Sequence, residues 1–277
     1  MKKKILVAVS EHGFWIDELL LPIKHIQAAG YEIDYITPSG ALPFPDGASL
    51  DSTYVDPPLG RPVTSAEMVK LAESQNWETL FKNRINLKDW FPLRPYLSTN
   101  NYVNGLETYY NAREKAWKNI DDYAALLLVG GSGPIVDMVN NQRIHDLILG
   151  FYYADKPIAA ECYTVTCLAF ARELDVRKSI MIGKHCTGHT MEYDYTEGWS
   201  LLANGDYLNF GSPPFSLEYI MRDAVAPDGQ FHGNVGRSTS VILDYPFITS
   251  RSVESSDLCG EVLIKCLDEG IRKYGWK

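Results

Sequence analysis

The chain has 277 residues, 45% of them hydrophobic, and carries a formal net charge of −9. That length and apolar content support one large domain or two small ones with a substantial core. The acidic balance argues against nucleic acid or anionic membrane as the main partner, because both call for basic patches.

The first ten residues place a lysine run before a short apolar stretch, Ile5-Leu6-Val7-Ala8-Val9. That stretch is shorter than the apolar region of a secretory signal, and Glu11 follows at once. It reads as a first buried parallel strand, and the protein as cytoplasmic. No run approaches the roughly 18–20 apolar residues of a membrane span. Asp17 to Ala29 carries a helical stripe of Leu19, Leu20, Ile23 and Ile26, stopped by Gly30. Tyr31–Ile36 is the next predicted strand, with Thr37-Pro38-Ser39-Gly40 as its turn.

Residues 41–120 break this rhythm. Their first part is rich in proline, glycine and aspartate, including Pro43, Pro45, Asp46, Gly47 and Pro57. The later part is aromatic and polar, with Trp77, Trp90, Phe91, Tyr96, Tyr102 and Trp117. The segment reads as an insertion of loops and helices that shapes a pocket on a single domain spanning 1–277. Its aromatics Trp90, Tyr96 and Tyr102 are read as packing residues. The rhythm then returns. Strands are predicted at Ala124–Val129, Pro157–Glu161, Ser179–Gly183, Ser240–Asp244 and Phe247–Thr249. Helices are predicted at Arg143–Tyr153, Tyr163–Glu173, Phe215–Val225 and Ser255–Lys273. Such alternation predicts an α/β three-layer sandwich, a flavodoxin-like, mostly parallel sheet with helices on both faces.

In an open parallel sheet, ligands bind beyond the carboxyl ends of the strands. The first strand runs into Glu11, Asp17 and Glu18. The Ala124–Val129 strand ends in Gly130-Gly131-Ser132-Gly133, which lacks the lysine of a P-loop and does not match GxGxxG. Its glycines instead let backbone N–H groups approach an oxyanion. The Pro157–Glu161 strand ends at Cys162, on a strand-to-helix turn where the helix amides favour thiolate over thiol. The five cysteines, an odd count with no CxxC pair, do not form a disulfide framework. Cys167, Cys259 and Cys266 read as packing residues. No helix aligns His185 with His189 as a metal pair, and no metal or cofactor is expected.

Several of these segments together resemble the DJ-1/PfpI superfamily, relatives of the class I glutamine amidotransferases. Asp17-Glu18-Leu19-Leu20-Leu21-Pro22 with Ala28-Ala29-Gly30 is similar to the family's opening. Thr37-Pro38-Ser39-Gly40 is similar to its larger members, the heat-shock chaperone and glyoxalase type. Asp122-Tyr123-Ala124 through Gly133 resembles the glycine-loop strand, and Cys162 falls at the family's nucleophile elbow. Gly183-Lys184-His185-Cys186-Thr187-Gly188-His189 resembles the segment of the family histidine. Phe247-Ile248-Thr249-Ser250-Arg251-Ser252 resembles the ending. The resemblance implies Cys162 as the reactive thiolate, Glu18 as the carboxyl group that handles its proton, and His189 as third partner, with His232 as a fallback. It implies an oxyanion or substrate site at Gly130, Gly131, Ser132 and the amide of Tyr163. Between the adjacent acids Asp17 and Glu18, the family pattern favours Glu18.

The implied activity is that of a cysteine-dependent lyase or hydratase acting on a small-molecule electrophile, with methylglyoxal hydration leading and isonitrile hydration second. A stress-response chaperone or redox sensor, and an amidase or peptidase, are the other classes the family offers. The resemblance also implies a homodimer. The chain departs from many larger members by having Tyr163 where they have histidine after the cysteine, and Ser132 where they often have histidine in the glycine loop.

Overall fold

Alternate residues of a strand face opposite sides of a sheet, and here both sides are apolar. In β1 (Lys4–Ala8), Ile5 and Val7 pack with one core, while Leu6 and Ala8 pack with the other. The computed structural model describes residues 4–56, 60–191, 217–234 and 239–276. The remaining strands are β2 (Glu32–Thr37), β3 (Val55–Asp56), β4 (Arg61–Pro62), β5 (Ile85–Asn86), β6 (Tyr123–Leu128), β7 (Ile158–Glu161), β8 (His185–Cys186), β9 (Gln230–Phe231), β10 (Val241–Asp244), β11 (Phe247–Ser250) and β12 (Lys273–Tyr274). Eight of them form one sheet in the order β12-β10-β11-β7-β6-β1-β2-β5. From β11 to β5 every pairing is parallel, and β10 runs antiparallel to both β11 and β12. A parallel sheet buried on both faces needs near-continuous apolar strands, and Tyr123-Ala124-Ala125-Leu126-Leu127-Leu128 is one, buried throughout.

The first helix (Ile16–Ala28) and the C-terminal helix (Ser256–Asp268) share one face, with Leu19, Ile23 and Ile26 meeting Cys259, Val262 and Leu263. Gly260 permits the contact. A Cβ there would lie 2.7 Å from the Cα of Pro22. The helix Gln142–Tyr153 covers the other face through Ile144, Leu147, Ile148 and Phe151.

The chain lays β2 on one side of β1 and then returns with β6 on the other. Strand order therefore reverses between β1 and β6, and their carboxyl ends flank a crevice. β7, next to β6, brings its own carboxyl end to the same edge.

Segment 41–120 holds more regular structure than its composition suggested. β5 extends the sheet beyond β2. Helix Ala66–Glu73 and the turn Trp77–Leu80 pack Met68, Val69, Ala72, Trp77 and Phe81 onto the first-helix face. Leu87, Phe91, Ala116 and Ile120 pack onto the opposite face. Trp90 and Tyr102 are part-buried, but Tyr96 is 79% exposed and packs against little.

Three predicted elements need correction. Residues 179–183 form a turn, and the strand lies just beyond, where β8 pairs with β9 apart from the main sheet. The helix after Cys162 is a 3-10 turn, Cys162–Thr164, followed by Val165–Phe170, and so ends three residues short of Glu173. The C-terminal helix stops at Asp268, and the chain then crosses to β12. Local periodicity ran on in both helices, and tertiary pairing ended them. Residues 215 and 216 of the predicted Phe215–Val225 helix lie outside the described residues, and Leu217–Val225 is helical. Among the described residues no helix is long and apolar enough to cross a membrane.

Candidate active site

β7 ends in a backbone conformation that a cysteine seldom adopts. Cys162 sits at φ +53°, in the left-handed region. An L-residue held there stores roughly 1–3 kcal/mol of strain. The reversal turns the chain from strand into the 3-10 turn and holds Sγ at the crevice, with the residue 7% exposed. The N–H groups of Tyr163 and Gly131 are directed at the sulfur. Gly131 reaches it at φ +111°, where any Cβ would stand 2.5 Å from the amide nitrogen of Trp15.

Glu18 comes from the first turn of the first helix and is fully buried. Burial, followed by the adjacent Asp17 charge, raises its pKa to about 8, and the thiol of Cys162 is the polar group that opposes the shift. Gly130 makes the meeting possible. A Cβ at that position would strike Glu18 Oε2, lie 2.7 Å from the Glu161 carbonyl oxygen and lie 2.9 Å from Cys162 Cβ. Asp17 points elsewhere. It accepts from the Thr64 hydroxyl at 2.9 Å, and Thr64 accepts in turn from Trp15 Nε1 at 2.8 Å. Of the two adjacent acids, Glu18 is the one whose carboxyl meets the Cys162 thiol.

His189 also meets the thiol, with Nδ1 3.5 Å from Sγ. Its ring stacks on Tyr163 at 3.8 Å between centroids, and Tyr163 packs with Ile135, Leu217 and Ile220. The tyrosine that replaces the expected histidine thus supports the ring of His189. His232 is not at the site. Its Nε2 meets His185 Nδ1 at 2.8 Å, beside Trp276. The hydroxyl of Ser132 donates to the buried Asp46 rather than facing the sulfur.

The sequence led us to expect a thiol shifted toward thiolate. The two amides act in that direction, but burial and the Glu18 carboxylate outweigh them and hold the thiol well above its ordinary value. Thiol and carboxyl therefore titrate as a pair. The carboxyl is the first of the two to lose its proton, and its charge then holds the thiol protonated.

Sequence reading missed the groups that surround this pair. Asp46 and Thr64 lie in the unread segment 41–120, and Arg61 of that segment pairs with Glu254 at 3.3 Å. Glu161 was visible as the one acid in the apolar run Ile158-Ala159-Ala160-Glu161, and its burial is complete. Among the described residues no group of three His, Cys, Asp or Glu side chains is placed to hold a metal ion.

The buried acids predict how stability varies with pH. Burial raises Glu18 to about 8, and Asp17 and Asp146 to about 6. Between their ordinary values and these, the folded chain binds more protons than the unfolded chain. Their contribution is therefore complete at about pH 4 and is lost as pH rises through 6 and then 8. His145, lowered by burial, opposes this over part of the range. Urea unfolding should show stability falling by a few kcal/mol between about pH 5 and 8. A flat or rising profile would contradict these placements.

The residues that form this site fall within a recognisable family. Residues 9–204 match the family described as ThiJ/PfpI family-like. The chain belongs to that family. No curated protein matches it. Among solved structures, the Rapid Encystment Protein of Francisella tularensis superposes with TM-score 0.68 at 21% identity, over 96% of this chain and 99% of the other. Glyoxalase III of Candida albicans gives 0.67 at 15% identity, over 96% and 98%. A ThiJ/PfpI domain protein of Brachyspira murdochii gives 0.52 at 14%, over 97% and 99%. At these identities the ThiJ/PfpI chain shares a fold with them, and its chemistry has to be argued from its own residues.

Proposed function

We propose that this ThiJ/PfpI-family chain is a cysteine-dependent enzyme that adds water to a small electrophilic carbon, with methylglyoxal, converted to lactate, as the leading substrate. The observation that supports it is Cys162 at its strained turn, held between Glu18 and His189 with two amides on the sulfur. A nucleophile with two acid–base groups beside it suits reversible addition to a carbonyl.

The chemistry follows from these positions. As Sγ attacks the aldehyde carbon, the thiol proton passes to Glu18 and the carbonyl π pair becomes an oxyanion. The N–H groups of Gly131 and Tyr163 stabilise that charge, and protonation gives a hemithioacetal. Glu18 then takes the proton from the former aldehyde carbon and delivers it to the neighbouring carbon, while His189 carries the hydroxyl proton across to the neighbouring oxygen, leaving a thioester. Water, deprotonated by His189, releases lactate and restores the thiol. The net change is addition of one water, with no external oxidant or reductant. What this chain shares with glyoxalase III of Candida albicans, at 15% identity, is the fold; the assignment to this chain rests on the site.

The test is a panel of methylglyoxal, an isonitrile and a simple amide, with lactate, formamide and acid release followed separately. Lactate formed with steady turnover supports the proposal. Turnover of the isonitrile or amide alone would move the chain to another activity. A stoichiometric sulfinic acid at Cys162 after mild peroxide, with no turnover on any substrate, would make it a sensor.

A further inference from the structure

Glu161 takes no part in the chemistry above, yet it directly precedes Cys162 and none of its surface reaches solvent. Its register partner on β11 is Ser250, also fully buried. Glu161, Glu18, Ser250 and Ser256 are all fully buried, with the Ser256 hydroxyl on Glu161 and the Cys162 thiol on Glu18. They come from four elements: β7, the first helix, β11 and the C-terminal helix. The groups that act on Glu161 are Glu18, the Ser256 hydroxyl and Asp17, and none of them is a cation. Cys259 of the C-terminal helix, fully buried, is under the influence of both carboxyls. Glu18 in turn faces Asp17, the Cys162 thiol, Glu254 and Asp46, and His189 Nδ1 meets the thiol at 3.5 Å.

A carboxylate buried without a cation has little to offset its lost hydration, and two ionised side by side also repel. One of them must keep its proton, and a carboxylic acid that does so becomes a hydrogen-bond donor. Glu18 adjoins the thiol and exchanges its proton with it, which leaves Glu161 as the acid that stays neutral.

We propose that Glu161 is held as a neutral carboxylic acid whose O–H donates to the Glu18 carboxylate, making it a positioning residue for the Cys162–Glu18 pair. The inference rests on the reading of Cys162 as nucleophile and Glu18 as its proton acceptor. When the pair loses its first proton, the Glu161 O–H stabilises the charge on Glu18, and Glu161 itself gives up no proton. Glu18 thereby becomes available as a base at lower pH than its burial alone would allow.

The test is the pH dependence of iodoacetamide alkylation at Cys162, read by mass spectrometry in the wild type, Glu161→Gln and Glu161→Leu. Removing a donor makes the Glu18 carboxylate harder to form, so the midpoint should rise. A rise of about one pH unit in Glu161→Leu corresponds to about tenfold slower alkylation below the midpoint. Glu161→Gln, whose amide still donates, should fall between the leucine variant and the wild type. A lower midpoint in either variant would mean that Glu161 is ionised and repels Glu18, and would overturn the proposal, as would no shift in a folded Glu161→Leu. If the leucine variant does not fold, infrared difference spectra between the wild type and Glu161→Gln decide. A protonated-carboxyl band at neutral pH that the variant lacks supports the proposal, and its absence from the wild type overturns it. Neither readout needs turnover. A chain that alkylates as expected but leaves methylglyoxal untouched would refute the substrate and keep the carboxyl pair.

Discussion

Cys162→Ala is expected to lower lactate formation from methylglyoxal by at least about 10³-fold while leaving the fold intact. The alanine occupies the same left-handed position and loses one buried sulfur, so the thermal midpoint should move by no more than a few degrees. The comparison needs both measurements. A fold that melts as the wild type does, with activity gone, places the chemistry on the sulfur. Activity within threefold of wild type would end the nucleophile reading, and with it the roles given to Glu18 and His189. The expected loss exceeds that for His189, because no other group among the described residues is placed to form the covalent bond.

Gly130→Ala is expected to be nearly as damaging although residue 130 performs no chemistry. Its Cβ would enter space already held by Glu18 Oε2, the Glu161 carbonyl oxygen and Cys162 Cβ. Two of these belong to the chain around the nucleophile, and the third to a side chain with no solvent to retreat into. Overpacking of this kind costs about 1–3 kcal/mol, a fall of several degrees in thermal midpoint for a domain of this size. A displacement near 1 Å of the reacting groups costs about 10²-fold in rate. Gly105→Ala is the control. It lies inside the helix Tyr102–Trp117 with only ordinary contacts to Pro95, and alanine there should leave activity unchanged and raise stability slightly. Wild-type activity in Gly130→Ala would mean that Glu18 does not need its present position.

The elements that carry the site were legible because they obey local rules. β1, β6 and β7 are short apolar runs bounded by turn residues, and the first helix has a clear apolar stripe. Cys162 was legible from its place between such a run and a helix start. What could not be read was long-range. The thiol's electrostatics depend on Glu18 arriving from 144 positions earlier in the chain, and a sequence offers amides near the cysteine but not the depth of burial. Asp46 and Thr64 sit in a stretch whose prolines and glycines mask any periodicity, and their partners Ser132 and Asp17 are far off in sequence. Glu161 was in plain view, but an acid at a strand end is usually solvated; only the C-terminal helix packed over it shows otherwise. His189 was found by resemblance alone. The stacking on Tyr163 that orients it is a contact no spacing rule predicts.

The reactive and the stable forms of this chain also pull apart with pH. Losing a proton from the Cys162–Glu18 pair creates the charge that chemistry needs, and the same loss weakens the folded state. A site with this conflict has to be enclosed by the rest of the molecule.

Segment 41–120, which adds β5 to the sheet and packs side chains into both cores, also reaches the surroundings of the site through side-chain contacts: Thr64 to Asp17, Asp46 to Ser132, and Arg61 to Glu254. The nucleophile, its acid and its amides all belong to the sheet and its first turns. The protein is therefore divisible for laboratory evolution. A library confined to the exposed positions of that segment, with those three contacts and its core residues preserved, can vary the surroundings of the site while the reacting groups stay in place.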